Sequence, residues 1–252
     1  KRPPKDMDNP YEDGEEQDYE KFNTSVKIPE DKVRPETREK KDKKNSTGNG
    51  RMLWTPGNIV YPVPAVMVTA ADREGKSNII TIAWTGTVCT NPPMAYISVR
   101  PERYSYGMLK ETGEFVINLT TEKLVRATDY CGVKSGRDTD KWKETGLTPI
   151  PAQEVNVPLI KESPVNIECR VSEIRELGSH HMFLARVVAV DVDEAYLNEQ
   201  GRFELQKAAP IVYSHGEYYG LSSLLGTFGY SVRKKTVPAR GNKKRPGGKY
   251  ER

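Results

Sequence analysis

The chain has 252 residues, with 39 Lys/Arg against 35 Asp/Glu and only 36% hydrophobic residues, a low share for a globular chain of this length, so part of it stays outside any core. Residues 1–51 carry 13 basic and 13 acidic side chains and residues 232–252 carry nine basic and one acidic, which leaves 17 and 21 for the mildly acidic stretch between, so the basic pI near 8.8 says nothing about that stretch's partners. Three scattered cysteines without a CxxC pair exclude a zinc ribbon or dithiol motif, and no apolar run of about 18 residues is present to span a membrane.

In chain order, residues 1–51 alternate charge with Pro, Gly, Asn and Ser. They offer too little apolar surface to offset their ordering entropy, which predicts an arm that is disordered or bound to a partner. From Met52 the pattern changes to short strands, and a folded domain is expected over 52–231. The segment IVYPVPAVMVTA (59–70) and the β-branched run 78–88 flank the turn Asp72-Arg73-Glu74-Gly75, as in an antiparallel hairpin. Pro92-Pro93 stops the ladder because proline has no backbone donor, and 94–100 forms the next strand. After Pro101, Ser105 opens a helical pattern that Gly113 closes.

Beyond it, EFVINL (114–119) reads as a strand, Thr121 caps a short helix ending near Gly132, and a second short helix spans 138–145 before Gly146. In 165–172, Val165, Ile167, Cys169 and Val171 alternate with Asn166, Glu168, Arg170 and Ser172, predicting a strand with one buried and one wet face. Its hairpin partner is 182–192, across Glu176-Leu177-Gly178-Ser179, and a last hairpin pairs 211–213 with 218–220. Many short antiparallel strands with a few short helices predict a mainly β, Greek-key antiparallel barrel, because closure removes exposed edges. The basic tail, 232–252, follows the barrel.

The stretch 77–106 delivers an arginine, a serine hydroxyl and a new helix N-terminus to one place. Unpaired amides and the helix dipole favour an anion there, and a guanidinium fork matches phosphate oxygens bidentately. Arg100, Tyr104 and Ser105 therefore read as phosphate ligands; the plain alternatives are a surface arginine at a strand end and a helix cap. The motifs NIITIAWTG, CTNPP and SVRPERYSY, followed in order by SGRDTDKW, ESPVNIEC, GSHHMFLARVVAV and HGEYYG, resemble the flavin reductase-like family, most closely its flavoredoxin branch, over residues 53–235. That resemblance implies a split β-barrel that binds FMN at a homodimer interface and exchanges electrons with a nicotinamide nucleotide or a protein.

The resemblance also implies flavin contacts from Asn78, Thr81 and Trp84, from the backbone of 85–91 including Thr85 and Cys89, and from Lys141 near the phosphate or ring. It implies His180 on the nicotinamide side and Tyr219 over the ring. On the residues alone, Trp84 reads as core, Tyr219 equally as barrel packing, Cys89 as a small packed residue, and Lys141 as a solvated lysine beside Asp138 and Asp140. Adjacent strand residues point to opposite faces, so only one of His180 and His181 faces a pocket. Ser179 stands where many flavin reductases carry an acid, a departure that weakens the case for an acid orienting that imidazole. No metal site is expected, since His215 is the only other histidine and no Cys or acid cluster joins it.

The expected function is an FMN-dependent oxidoreductase in the cytoplasm, without membrane contact, passing hydride from NAD(P)H to the flavin and electrons to an acceptor. Two alternatives stay open. One is a flavin carrier that meets no nicotinamide, since no Gly-rich nucleotide fingerprint is present. The other is a barrel whose basic tail holds a polyanion in a salt-dependent way.

Overall fold

The computed structural model describes residues 49–233; all but the last three residues of the expected arm, and the tail from residue 234, lie outside the described residues. Backbone contacts divide the described residues into two units, one of residues 49–61 with 197–203 and one of 62–196 with 204–233. In the first unit Leu197 and Phe203 form an isolated antiparallel bridge. The second unit holds all the named strands, and it carries the candidate site.

Its elements are β1 (Val63–Pro64), β2 (Val66–Ala71), β3 (Ser77–Ile82), β4 (Thr85–Cys89), β5 (Met94–Val99), α1 (Tyr104–Thr112), β6 (Glu114–Asn118), a 3-10 turn (Glu122–Leu124), α2 (Val125–Val133) and α3 (Lys141–Thr145). There follow β7 (Pro149–Ile150), β8 (Leu159–Ile160), the long hairpin β9 (Val165–Leu177) and β10 (His180–Val192), and finally β11 (Ile211–Ser214) and β12 (Glu217–Gly220). Seven strands form one antiparallel sheet in the order β3-β2-β6-β9-β10-β5-β4.

The two edge strands of this sheet are consecutive in sequence, joined by only Ala83 and Trp84. Three peptide steps span no more than about 11 Å, so the sheet must roll until its edges meet at that point. The result is a split β-barrel. This corrects the expectation of one strand over 78–88: the chain leaves one edge at Ile82 and re-enters at the other at Thr85. The carbonyl of Trp84 accepts from the Ser98 amide at 2.8 Å and so ties the crossing to β5.

Val66, Val68, Ile80, Ile97, Phe115, Ile117 and Phe183 fill the barrel, joined by Met108 and Leu109 of α1. Their neighbours Met67 and Ile79 point outward and are covered by Leu124, Cys131, Leu147 and Ile160. A strand buried on both faces needs no alternation, which is why β2 reads as one apolar run.

Four local expectations change. The wet face expected over 165–172 is in part dry, because Asn166 and Glu168 are buried. The Glu168 carboxylate accepts amide hydrogens from Gln153, Glu154 and Val155 at 2.7–3.0 Å, fastening that loop over β9. Burial opposes its ionisation, but these amides together with a side-chain hydrogen bond from Asp191 outweigh burial and hold its pKa below the carboxylate norm, while burial and the Glu168 carboxylate push the Asp191 pKa up. Ser105 does not cap α1. Arg103 occupies the N-cap position without a side-chain bond, and the buried Ser105 hydroxyl instead accepts from Asn78 Nδ2 at 2.8 Å. Gly113, at φ 66, ends α1 as expected. Likewise α2 runs to Val133 without a side-chain cap from Thr121, and α3 begins only at Lys141.

Candidate functional site

The site forms around the tight turn from β5 into α1, where the Arg103 amide donates to the Arg100 carbonyl at 3.0 Å. A hollow of about 260 Å³ opens there between β3, this turn, the end of α2 and the loop before α3. It gathers Asn78, Arg100, Tyr104, Ser105 and Lys141, five residues singled out from the sequence. Arg103, Lys134 and Arg137 join them, so five cationic side chains face a single acid, Glu102. Arg100 Nη1 lies 3.3 Å from the Glu102 carboxylate, and Arg137 Nη2 donates to the Glu102 carbonyl at 3.4 Å.

Lys141 is buried, and its ammonium donates to the carbonyls of Ile79 and Cys131 at 2.6 and 2.8 Å. An ammonium has three donors, so one remains for a ligand. Burial pulls the Lys141 pKa down to about 8, partly opposed by Cys131 and reinforced by the charge of Arg103. The loop before α3 lies hard against this wall. A Cβ on Gly136 would stand 2.3 Å from Asn78 Oδ1 and 2.7 Å from Tyr104 Cδ1, so only glycine fits there.

On the other side of Arg100 and Arg103 lies a smaller hollow of about 140 Å³ lined by Thr81, Trp84 and His180. The same residues border a wider, open hollow of about 400 Å³ that adds Asp129, Tyr213 and Tyr218. Burial and then the Arg100 charge push the His180 pKa down, and its Nδ1 lies 3.0 Å from Ser179 Oγ. The opposite-face expectation for the histidine pair agrees with this placement: His181 Nδ1 instead meets the Tyr106 hydroxyl at 2.7 Å.

Three residues from the sequence reading do not line these hollows. Thr85 is buried and its hydroxyl donates to the Tyr96 carbonyl at 2.7 Å. Cys89 sits on β4 with Sγ 3.3 Å from the Asn91 carbonyl. Tyr219 is exposed and donates its hydroxyl to Glu217. The two-residue period of a strand explains Tyr219, since its neighbour Tyr218 is the one turned to the hollow. The Tyr218 hydroxyl donates to Asp129 at 3.4 Å, and burial followed by that carboxylate pushes its pKa up to about 12. The sequence reading missed Arg103, Lys134 and Arg137, although the first lies in the same RPERYS turn and the others lie within two residues of Gly136.

Among the described residues no group of three or more His, Cys, Asp or Glu side chains converges on a metal position, and no helix is long and apolar enough to cross a membrane.

The model of the flavin reductase like domain matches residues 59–222. The chain is similar to the flavoredoxin of Desulfovibrio vulgaris (Miyazaki F), at 31% identity and a TM-score of 0.68 over 73% of this chain and 100% of that one. It is similar to the flavoredoxin of Methanosarcina acetivorans at 30% identity and a TM-score of 0.66, with the same coverage of both chains. Nitrilotriacetate monooxygenase component B from Bacillus cereus follows at 26% identity and a TM-score of 0.61, over 67% of this chain and 88% of that one.

Proposed function

The chain belongs to the flavin reductase-like family, and from that premise we propose that it binds FMN in the cleft around Arg100–Ser105 and works as an NAD(P)H-linked oxidoreductase. The observation that carries this reading is the convergence of Arg100, Arg103, Lys141 and the start of α1 on one hollow, beside a second hollow walled by Thr81, Trp84 and His180. The cationic hollow suits a phosphate dianion, and the indole of Trp84 suits a flat ring. When bound, the flavin supplies hydride and electron transfer.

The chain's residues bind and orient. Arg100 and Arg103 stand between the two hollows and so hold the phosphate end in register with the ring end. Asn78, locked to Ser105, presents an amide from a buried wall. Burial and then the Arg100 charge favour the neutral form of His180, and its imidazole borders the second hollow, where it offers a hydrogen bond to a nicotinamide carboxamide. We propose a homodimer, supported by the exposed apolar run Leu221, Leu224, Leu225 and Phe228 that follows β12. In that assembly Tyr219 and Cys89, which do not line the hollows of their own chain, serve the partner's site. A weak polyanion contact of the 232–252 tail and a cytoplasmic location are proposed from the sequence alone.

The likeness to two flavoredoxins favours one second reading, a flavin carrier reduced by another protein. The test is the visible spectrum of the purified protein with NADH or NADPH added in the absence of oxygen. Bleaching of a bound-flavin spectrum supports the reductase; a persistent flavin spectrum supports the carrier. A colourless protein that takes up no FMN refutes both.

A further inference from the structure

The turn that carries Arg100, Arg103, Tyr104 and Ser105 is bracketed by Val99 at the end of β5 and Tyr106 in the first turn of α1. One residue holds both brackets. His181 pairs with Val99 across the β5–β10 ladder, and its Nδ1 meets the Tyr106 hydroxyl at 2.7 Å. The residue before it, His180, belongs to the opposite face of β10 and lines the second hollow. We propose that His181 is a positioning residue: through its hydrogen bond to Tyr106 it fixes the β5–α1 turn against β10 and so holds Arg100 and Arg103 in register with His180; the inference rests on the flavin reading above.

Within the turn, the Arg103 amide donates to the Arg100 carbonyl and the Tyr106 amide to the Arg103 carbonyl, each at 3.0 Å. Bonds between members of one turn shape it but cannot set where it stands relative to another strand. That placement matters, because two guanidinium heads converge on one anion only if their backbones are held, and a misplacement of about 1 Å can cost about 10²-fold in rate. The tie from Tyr106 to β10 supplies the missing constraint. The Tyr106 ring stands edge-on to Phe183, with centroids 5.7 Å apart, and Phe183 is fully buried in the barrel. Packing alone would be served by a phenylalanine at 106. The hydroxyl adds a directed bond in a half-buried place, where an abandoned partner is costly.

The imidazole can take either role in this bond. With the proton on Nε2 the Tyr106 hydroxyl donates to Nδ1; with Nδ1 protonated the ring donates to the hydroxyl oxygen. Glu176, opposite His181 in the β9–β10 ladder, has its carboxylate 3.8 Å from the same nitrogen, but its side chain is 73% exposed and its pull is screened by water. The tie therefore persists in both protonation states and acts as a fixed brace.

The experiment uses the full chain and four variants: Tyr106→Phe, His181→Leu, the two combined, and His181→Asn, whose short amide sets a polar atom about where Nδ1 stands. Quenching of flavin fluorescence gives FMN dissociation constants, anaerobic stopped-flow with saturating NADH gives the limiting rate of flavin reduction, and a thermal melt shows that each variant is folded. Tyr106→Phe keeps the ring on Phe183 and removes only the hydroxyl. It and His181→Leu should each weaken FMN about tenfold and lower the limiting rate about tenfold at saturating FMN. The double variant should stay within about twofold of either single one, because both remove the same bond. His181→Asn should recover both quantities to within about threefold of wild type.

Folded variants that bind and reduce FMN like wild type overturn the inference. So do a double variant in which the two losses multiply and a His181→Asn protein as impaired as His181→Leu, since either outcome leaves His181 a packing role alone. If NADH and NADPH both fail to reduce wild type that has bound FMN, the FMN dissociation constants decide by the same criteria. Wild type that takes up no FMN would instead bring down the flavin reading itself.

Discussion

Lys141→Met should abolish one component of the protein's pH-dependent stability, and the size of that component follows from the structure. Burial holds the folded-state pKa of Lys141 at about 8 against an ordinary value of 10.5. Between those values the unfolded chain binds more protons than the folded one, so stability rises with pH from about 8 to 10.5 and is flat in this component below 8. A shift of about 2.5 units corresponds to roughly 3 kcal/mol. Methionine removes that desolvation cost and also removes the donor to the carbonyls of Ile79 and Cys131, a loss of about 1–3 kcal/mol. At pH 7 the two effects nearly cancel. The assay is urea unfolding of both proteins at pH 7, 8, 9 and 10. Other titrating groups drop out of the difference, and wild type should gain about 2 kcal/mol on the variant between pH 8 and 10. Parallel curves across that window would refute the account of Lys141 as a buried ammonium.

Gly136→Ala forces a Cβ onto Asn78, which is held by Ser105 and has little room to retreat, so it should lower stability by about 1–3 kcal/mol and weaken flavin binding; a thermal melt and a flavin titration check both. Arg100→Ala should weaken FMN about tenfold or more by loss of a charge-assisted contact, read by fluorescence quenching, and unchanged affinity would remove Arg100 from the phosphate seat. Glu168→Gln replaces one of the two accepting oxygens with an NH2 group that faces at least one of the three amides; it should cost about 3 kcal/mol in denaturant unfolding at pH 7. The stability that Glu168 contributes is present above its ordinary value of 4.5 and is lost as pH falls through its lowered folded value, so wild type and variant should converge in acid.

What was legible in the sequence was local or carried by a motif. The turn at Asp72–Gly75, the end of α1 at Gly113 and the hairpin partners β9 and β10 follow from nearest-neighbour chemistry: an Asp side chain that accepts the amides of Glu74 and Lys76, glycines at positive φ, and alternation along a strand. The strand end and helix start over 100–105 pointed to Arg100, Tyr104 and Ser105, the family motifs pointed to Asn78 and Lys141, and these five do share one hollow.

Tertiary structure decided what depends on which segments meet. The break at Ala83-Trp84 exists because the chain crosses between the edges of a rolled sheet, which no local propensity encodes. Glu168 reads as a solvated strand residue until the loop at 153–155 delivers three amides to it. Lys141 reads as a surface lysine beside two aspartates until the ends of β3 and α2 close around its ammonium. Arg103 and Arg137 lie 34 positions apart in sequence and become one cationic cluster only when α2 returns the chain to the start of α1. A sequence states each side chain's charge and shape; the dielectric around it and the partners it meets are set by chain segments far away in sequence, and those are what turned a lysine, two arginines and a glycine into a site.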